Sequence, residues 1–536
     1  MFPVTVTRMA AAIYKNPHSR KSSLTRTLQV AQANSMALFD FYLDASLVLL
    51  TLYFYLKRRS SYSLLPLPPG PKKWPIIGNL MDMPTEVEWK TYHRWSKELD
   101  TDILHVSVMG TDIIVLDTAE AAFELFERRS SIYSDRPRMP MINELMKWSF
   151  NVGFMQYGDN WRRHRRLMHQ HLHPAAARQL RPHALKATHH LLQRILDEPH
   201  TRVLEHLRYL AGETIMSIAY GLDIKPKDDP YIQIAEQGVH ALGIAAVPGT
   251  FLVDILPILK YVPEWVPGAG FKKKAREWAK LAMMMVDMPF EAAKKEFAEG
   301  KATPSLTSLS FLKAEEGSKD DAFEECVIRG SAGTLYAAGT DSTVAAIASC
   351  TLALLENPDV LEKAQAELDS VIKPGHLPSF EDNEDNLPYI TAITLEALRW
   401  RDVAPIAIPR YLQVDDEYKG YRLPKGSIVI ANAWAMLHNE HVYPDPFAFR
   451  PERFLTEDGK SLDKTVRDPR HACFGFGRRI CPARFMAFSA VWIALASIMY
   501  CFDIKKEADE DGNVVELTHD YDSALIVCVE SLARVT

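Results

Sequence analysis

One cysteine stands in a setting that suits a metal ligand, within the stretch 474-FGFGRRICPAR-484. Gly475 and Gly477 permit a tight loop whose backbone amides can approach the sulfur of Cys481. Pro482 is favourable at the first position of a helix, so Cys481 is predicted at a helix N-terminus, where a thiolate is stabilised. A thiolate held in this way is a soft ligand that fits an axial position on haem iron. The alternative is an inert buried cysteine, and the loop alone does not decide between them.

Composition limits the classes of protein to which this chain can belong. The chain has 536 residues, of which 47% are hydrophobic and 24% charged, as in a globular protein with a substantial core. A net charge of −6 argues against general nucleic-acid binding. The six cysteines form no Cys-x-x-Cys pair and no zinc-type spacing with histidines, which favours a reducing compartment. They are Cys326, Cys350, Cys473, Cys481, Cys501 and Cys528.

The loop matches a known signature. Phe474, Gly477, Arg479 and Cys481 fit the pattern Phe-x-x-Gly-x-Arg-x-Cys, and in this the chain resembles the cytochrome P450 superfamily. Three more motifs of that family appear earlier in the chain in the expected order, and with the predicted anchor and the proline-rich hinge they extend the resemblance over about residues 36–536. These motifs are 338-AGTDST-343, 396-EALR-399 and 449-FRPERF-454.

The resemblance implies a mainly α fold with small β-sheets and a single large catalytic domain. It implies haem b as the cofactor, Cys481 as its axial ligand, and Phe474, Gly477 and Arg479 as loop residues that contact it. The family's Trp-x-x-x-Arg helix corresponds here to Trp161 and Arg165, which are expected to reach a haem propionate. Further propionate contacts are implied for Arg410 and Arg479, because an arginine fork pairs a carboxylate bidentately.

The motif 338-AGTDST-343 resembles the family's oxygen-binding helix. Gly339 is expected to loosen the helix, and Asp341 and Ser342 offer an acid and a hydroxyl for proton delivery. The family usually carries threonine where Ser342 stands, which puts the coupling of electron flow to product in doubt. It also usually carries glycine where Ala483 stands, a small change that is expected to be tolerated.

Glu396 and Arg399 are spaced to share one face of a helix and to pair. The resemblance adds Arg453 as a third member of a buried charged network beneath the cysteine loop. An exposed salt bridge of little energetic value is the alternative.

The hydrophobic pattern predicts the elements that position these residues. The stretch 103–117 predicts a β-hairpin around Met109 and Gly110, because apolar residues alternate on either side of a turn. The segment 295–321 is polar and predicts a solvated connection. Helices are predicted over about 323–355, 358–372 and 482–500, and strands over 409–414 and 427–432.

The N-terminus predicts a membrane anchor. We divide the chain into a basic tail (1–35), a transmembrane anchor (36–56), a basic and proline-rich hinge (57–72) and a haem-binding monooxygenase domain (73–536). The anchor would span about 31 Å as a helix, although Asp40 and Asp44 weaken the prediction and a buried soluble helix is the alternative. The resemblance implies a single pass through the endoplasmic reticulum membrane with a cytosolic domain.

The basic tail, which lacks acidic residues, leaves mitochondrial targeting open, and translation from Met36 is a further hypothesis. N-terminal sequencing of the native protein tests it, since a sequence beginning near Met1 would exclude a start at Met36.

Partners follow from the same resemblance. Electrons are expected from NADPH through an NADPH–cytochrome P450 reductase, with cytochrome b5 as a further donor. A basic cluster of Arg162, Arg163 and Arg166 is either a docking site for that donor or a solvated surface.

The substrate is expected to be a lipophilic or aromatic molecule, a xenobiotic or a secondary metabolite such as a polyketide, terpenoid or indole. The segment 244–268 would dip into the membrane as its entry route, or else pack in the core. The regions expected to contact the substrate are 136–150, 337–341, 403–407 and 520–523.

The sequence therefore predicts a haem-thiolate monooxygenase that inserts one atom of dioxygen into an organic substrate. Two alternatives stay open at this point. One is a reductase-independent isomerase or dehydratase on the same scaffold, and the other is a haem-binding protein without turnover.

Overall fold

Helices form more than half of the part of the chain that the structure describes, as the periodicity of its apolar residues predicts. The computed structural model describes residues 65–199, 201–247, 249–317, 324–382 and 386–506. The described residues from Leu67 onward belong to one compact unit. The α-helices, numbered in chain order, are α1 (Glu88–Glu98), α2 (Ala119–Ala122), α3 (Ser130–Tyr133), α4 (Asp159–Leu172), α5 (Pro174–Gln179), α6 (Arg181–Asp197), α7 (Val203–Tyr220), α8 (Pro230–Ala246), α9 (Leu252–Ile255), α10 (Gly270–Ala298), α11 (Leu306–Glu315), α12 (Glu325–Glu356), α13 (Pro358–Val371), α14 (Pro388–Trp400), α15 (Ala433–Leu437), α16 (Arg470–Cys473) and α17 (Arg484–Cys501).

Short helical turns join these helices. The 3₁₀ turns are Trp148–Phe150, Pro257–Tyr261, Pro451–Phe454 and Gly477–Arg479, and two segments with π-helical hydrogen bonding are Phe123–Arg128 and Pro140–Leu145.

Two small sheets complete the described fold. The strands are β1 (Ile103–Val108), β2 (Thr111–Leu116), β3 (Arg410–Tyr411), β4 (Asp416–Tyr418), β5 (Tyr421–Leu423) and β6 (Ile428–Ala431). One sheet has the order β1-β2-β6-β3 and the other pairs β4 with β5. The predicted hairpin is confirmed, since β1 and β2 pair antiparallel around Met109 and Gly110, which both have positive φ. Strand β3 pairs antiparallel with β6 and thereby fixes Arg410 opposite Val429.

Helix α12 runs through the centre of the core and confirms the predicted long helix. Its first half, Val327–Ala337, packs into one cluster of buried apolar side chains, and its second half, Val344–Leu355, packs into another. The residues between these halves border a cavity. A helix whose whole circumference is apolar is expected to be buried on all sides. Among the described helices, α12 and α17 have the length and hydropathy to cross a bilayer, and both are mostly buried inside the fold.

One predicted connection is wrong. The segment 295–321, predicted as a solvated connection, contains the end of α10 and the short helix α11. Helix α11 begins with a capping box in which Ser305 and Ser308 exchange hydrogen bonds, and the buried Thr307 donates to the carbonyl of Ala219. Small hydroxyl side chains therefore face inward here, because each finds an acceptor, which a polar sequence pattern does not reveal.

The basic tail, the anchor and residues 57–64 of the hinge lie outside the described residues. The described end of the hinge packs closely on β1, where the amide of His105 donates to the carbonyl of Pro69 at 2.8 Å. A Cβ on Gly70 would lie 1.9 Å from the carbonyl oxygen of His105, so this approach requires glycine.

Candidate active site

The loop that precedes α17 is held in one conformation by its glycines. Gly475 and Gly477 both have positive φ, at 74° and 53°. A Cβ on Gly477 would lie 2.0 Å from the carbonyl oxygen of Phe126, whereas a Cβ on Gly475 would meet nothing within 4 Å. The amide of Gly477 donates to a carboxylate oxygen of Glu127 at 2.5 Å, and the amide of Cys481 donates to the carbonyl of Phe474 at 2.8 Å. The loop is therefore fastened to the neighbouring π-helical segment.

Cys481 faces a cavity at the end of this loop. Helix α17 begins at Arg484, so the prediction that Pro482 is its first residue is wrong by two positions; Pro482 and Ala483 form a turn. Burial raises the pKa of the Cys481 thiol, whereas hydrogen bonds from the backbone N–H groups of Ala483 and Arg484 and the nearby guanidinium of Arg165 lower it. These same groups would stabilise a thiolate as soon as a cation compensated its burial.

The cavity has a volume of about 1040 Å³ and joins most of the predicted site residues. Trp161, Arg165, Asp341, Ser342, Arg410, Phe474, Arg479 and Cys481 line it. Much of the remaining wall is apolar, including Phe154, Met168, Leu335, Met486 and Val491. Gly477 contributes to the loop but does not line the cavity. An apolar chamber with a few polar groups is the usual form of a small-molecule site.

One guanidinium group at this cavity, that of Arg410, has a donor to spare. Arg410 lies 4.0 Å over the ring of Phe126 and donates through Nη2 to the carbonyl of Phe476 at 2.5 Å, but its buried Nη1 has no partner. Burial, reinforced by the charge of Arg479, lowers the pKa of Arg410 to about 9. Burial likewise lowers the pKa of Arg165 to about 10. The indole Nε1 of Trp161, on the same helix as Arg165, is also buried without a partner.

The guanidinium groups of Arg479 and Arg136 are instead bound to backbone carbonyls. Arg479 donates to the carbonyls of Ser134, Val152 and Met155 at 2.7, 3.0 and 2.8 Å. Arg479 also lies 4.5 Å over the ring of Trp161. Its hydrogen bonds hold the loop to the segment before α4, a structural role that the sequence did not predict.

Arg136 is the site residue that sequence reasoning missed, since it was assigned only to a substrate-contacting region. It donates to the carbonyls of Gly153, Ile408 and Pro409 and lines the cavity beside Arg410 and Arg479. In the sequence, Arg136 is only an arginine between Asp135 and Pro137, and this pattern is too common to indicate a functional site.

At the loop end of the cavity positive charge exceeds negative charge, since there are two carboxylates, Asp135 and Glu127, to four arginines. Within the described part of the chain, Arg136, Arg165, Arg410 and Arg479 form no ion pair with a carboxylate. Burying several cations together is costly unless anions compensate them. This end of the cavity therefore fits a ligand that carries carboxylates, and the unpartnered Nη1 of Arg410 and Nε1 of Trp161 are donors ready for it.

The predicted network beneath the loop is present and fully buried. Arg399 donates twice to the carboxylate of Glu396, at 2.7 and 2.9 Å, and Arg453 donates to it at 3.1 Å. The backbone amide of Arg450 adds a hydrogen bond to Glu396 at 2.8 Å, and Arg399 also donates to the carbonyl of Leu437. The alternative of an exposed salt bridge is wrong, because the side chains of Glu396 and Arg399 are 0% exposed.

Asp341 and Ser342 lie on α12 where it borders the cavity. Burial raises the pKa of the Asp341 carboxyl to about 6, so this group exchanges a proton near neutral pH. The hydroxyl of Ser342 donates to the carbonyl of Ala338 at 2.7 Å. Its neighbour Thr343 lines the cavity as well.

Gly339 has a different role from the predicted one. The α-helical hydrogen bonding of α12 continues through this residue, so the helix is not loosened here. A Cβ on Gly339 would lie 2.8 Å from Cδ1 of Ile215, and the glycine therefore allows α7 and α12 to approach closely. Sequence alone could not supply this reason, because the contact joins distant segments.

The predicted substrate-contacting regions are placed unevenly. Val403, Ala404 and Ala407 line the cavity, as expected. From 136–150, Arg136 lines it, while Met141, Ile142, Met146 and Trp148 pack in the core and the next lining residues are Asn151–Phe154. Residues 520–523 lie outside the described part of the chain.

The basic cluster on α4 is partly neutralised. Arg162 pairs with Asp159 at 2.5 Å and Arg163 pairs with Glu324 at 2.8 Å. A solvated surface and a docking site both remain compatible with this arrangement.

Comparison with known proteins identifies relatives over most of the chain. Residues 68–522 match the family model described as cytochrome P450. The chain is 48% identical to cytochrome P450 monooxygenase 98 of Postia placenta, over 86% of this chain and 88% of that protein. It is 42% identical to tryptamine 4-monooxygenase of Psilocybe cyanescens, over 84% and 89%, and 43% identical to cytochrome P450 monooxygenase ple1 of Rhodocybe pseudopiperita, over 86% and 87%.

Proposed function

This chain belongs to the cytochrome P450 family and is a haem-thiolate monooxygenase, and from that premise we propose how its residues divide the work. The relatives named above are monooxygenases, so neither an isomerase nor a haem carrier without turnover is favoured.

Haem b fits the cavity because its carboxylate groups match the hydrogen-bond donors that line one end. Its two propionates are the carboxylates that the unbalanced guanidinium groups require, and Arg165, Trp161 and the unpartnered Nη1 of Arg410 are assigned to bind them. Arg479 and Arg136 add positive charge while they hold the surrounding backbone. Cys481 is assigned as the residue that would ligate the haem iron, and Phe474 and Gly477 fix the loop that presents it. Bound in this way, haem with a thiolate ligand supplies the oxygen-activating chemistry.

The chain itself contributes position and protons. The amides of Ala483 and Arg484 hydrogen-bond the sulfur of Cys481 and keep it directed at the cavity. Asp341, with its pKa near 6, is assigned to hold a proton, and the Ser342 hydroxyl is assigned to pass it toward the reacting oxygen. The apolar wall excludes water from the substrate and leaves the proton path to these two groups.

The substrate is a small lipophilic or aromatic molecule. The single observation that carries this proposal is the chamber of about 1040 Å³, whose wall away from the arginines is mainly apolar. Tryptamine 4-monooxygenase is named for an indole amine, and indoles join polyketides and terpenoids as substrate classes to test here.

NADPH is proposed to supply electrons through a flavoprotein reductase, with cytochrome b5 as a second donor. The basic residues Arg162, Arg163 and Arg166 on α4 are the proposed contact for an acidic partner. Two of them are already paired with carboxylates, so their contribution is to the rate of association more than to affinity.

Membrane association at the endoplasmic reticulum is proposed for this enzyme, with the catalytic domain in the cytosol. Support comes from large apolar side chains on the surface of two described segments. Ile76 is 86% exposed in one segment, and Ile258 and Trp265 are 72% and 83% exposed in the other. Such clusters favour contact with lipid, and the second segment adjoins Ile244 and Val247 at the cavity wall. Substrate would enter from the lipid on that side.

Reconstitution tests the proposal. Purified full-length protein, its reductase and NADPH are combined with a panel of indoles, terpenoids and polyketides, and both NADPH consumption and oxygenated product are measured. We expect at least one class to stimulate both. NADPH-independent conversion of a peroxide substrate would contradict it.

A further inference from the structure

A short strap, residues 69–79, leads from the predicted hinge into the fold and lies against β1. The amide of His105 donates to the carbonyl of Pro69 at 2.8 Å, and the amide of Asn79 donates to the carbonyl of Ser107 at 2.6 Å. None of the described residues of this strap lines the cavity. What the strap does is therefore independent of the chemistry proposed for the cavity.

The side chain of His105 lies between an amine and a carboxylate. Nζ of Lys73, in the strap, lies 2.7 Å from Nδ1 of the ring, and Oδ1 of Asp112 lies 2.8 Å from Nε2. The His105 side chain is 0% exposed, whereas that of Asp112 is 33% exposed. Both ring nitrogens are thus in contact with ionisable groups of opposite charge.

The hairpin places Asp112 on the same face of the sheet as His105. The register of β1 and β2 sets His105 opposite Ile114, so Asp112, two residues before Ile114, is a diagonal neighbour of His105. Ile103 and Ile114 share this face and are apolar and buried. Among the described contacts of His105, the charged groups are therefore Lys73 from the strap and Asp112 from β2.

This order of groups selects one protonation state of the ring. An ammonium group only donates hydrogen bonds, so Nδ1 of His105 accepts from Lys73, and Nε2 carries the proton that is donated to Asp112. The ring is neutral in this arrangement. A second proton would bind Nδ1 and face the Lys73 ammonium at hydrogen-bond distance, where two cations repel each other. Asp112 would keep its hydrogen bond and compensate the charge of the buried imidazolium.

We propose that the contact of Lys73, His105 and Asp112 is a pH-sensitive latch on the strap. The neutral ring holds Lys73 against β1, and the protonated ring keeps Asp112 and releases Lys73. Trp74 and Ile76 follow Lys73 and are 60% and 86% exposed, in one of the two segments proposed to contact lipid. Acid would therefore loosen the attachment of this segment to the sheet.

The release is confined to the middle of the strap. The backbone hydrogen bonds at Pro69 and Asn79 involve no titrating group, so they hold the two ends of the strap in both states. Between them, the side chain of Lys73 fastens the strap to β1 in a way that depends on pH.

Amide hydrogen exchange in the full-length holoenzyme tests the latch. Exchange in residues 70–78 is measured by mass spectrometry from about pH 8 to about pH 5.5, where histidines ordinarily titrate, and is corrected for the intrinsic effect of pH on exchange. We expect the corrected exchange to rise by about tenfold toward acid, because one hydrogen bond to a charged group is lost.

Three variants isolate the groups involved. Lys73→Met removes the ammonium and should exchange fast at both ends of the pH range. His105→Asn keeps an acceptor near the position of Nδ1 but cannot be protonated, so it should exchange slowly at both ends. Lys72→Met is the matched control, because Lys72 and Lys73 are both exposed in the same strap, and it should behave like the wild type.

Two results would overturn the latch. One is a wild type whose corrected exchange does not change with pH, or changes equally in His105→Asn, since His105 would then not be the titrating group. The other is a Lys73→Met variant that exchanges like Lys72→Met at pH 8, since Lys73 would then hold nothing. If His105→Asn does not fold, as loss of haem would show, the comparison of the two lysine variants still decides.

Discussion

The two sides of the cavity are built on opposite principles. On the loop side, Cys481 is surrounded by satisfied hydrogen bonds, a glycine that tolerates no Cβ and a buried ionic network. On the α12 side, Asp341 and Ser342 border open space, and the Asp341 carboxyl sits near its point of titration. The proposed metal ligand is thus fixed in place, whereas the groups that are proposed to move protons are left responsive. Substitutions on the two sides should therefore fail in different ways.

Glycine substitutions in the loop should give the largest effect. Gly477→Ala places a Cβ 2.0 Å from the carbonyl of Phe126, so the loop must shift, at a cost of about 4 kcal/mol or more. Gly475→Ala is the matched control, because it has the same left-handed φ but open space around its Cβ, and it should cost about 1 kcal/mol. Haem content and thermal unfolding measure both. Equal losses in the two variants would show that φ, and not the contact with Phe126, decides this position.

The buried network should come next. Glu396→Gln leaves Arg399 and Arg453 without a counter-charge and should destabilise the fold by about 3–5 kcal/mol. Unfolding by denaturant measures the loss, and Glu264→Gln at the exposed pair with Arg276 should change stability by less than about 1 kcal/mol. A network variant as stable as this control would contradict the assignment of Glu396 as structural support.

A change at Asp341 should spare the fold and damage the chemistry. Asp341→Asn removes the titrating proton and should lower the rate of product formation by about 10²-fold, with thiolate spectrum and stability retained. In the wild type, a carboxyl with a pKa near 6 is protonated below that pH, so product per NADPH should fall as the pH rises through about 6. The variant should lose this dependence. A variant that keeps the wild-type pH profile would remove Asp341 from the proton path.

The smallest effect is expected at Ser342. Ser342→Thr restores the methyl group that restricts the hydroxyl rotamer and keeps the donor to the carbonyl of Ala338. Product per NADPH should rise by about two-fold at most, while Ser342→Ala should lower it. These ratios are measured with the same reductase and substrate. A threonine variant that behaves like alanine would mean that the hydroxyl plays no part.

Local patterns predicted much of this fold. The turn at Met109 and Gly110 predicted the hairpin, the continuous apolar run predicted α12, and the spacing of Glu396 and Arg399 predicted their pairing. Each of these signals is contained within a few neighbouring residues, where strand and helix geometry fix which side chains meet.

Local sequence patterns could not predict the contacts between distant segments. The need for glycine at Gly339 comes from Ile215 on another helix, and the hydrogen bonds of Arg136 come from carbonyls near Gly153 and Pro409. The start of α17 at Arg484 could not be predicted from local sequence either. The loop that carries Cys481 ends in a turn at Pro482 and Ala483 before the helix begins. Tertiary packing, and not local propensity, decides these positions.

The ligand assignment is tested most directly by the carbon-monoxide difference spectrum of the reduced protein. Cys481→Ser is compared with Cys473→Ser, since both cysteines line the cavity and lie in the same segment. We expect a thiolate-type Soret band in the wild type and in Cys473→Ser, whereas Cys481→Ser should lose both this band and NADPH-dependent oxygenation. A Cys481→Ser protein that keeps the thiolate band would show that Cys481 is not the iron ligand.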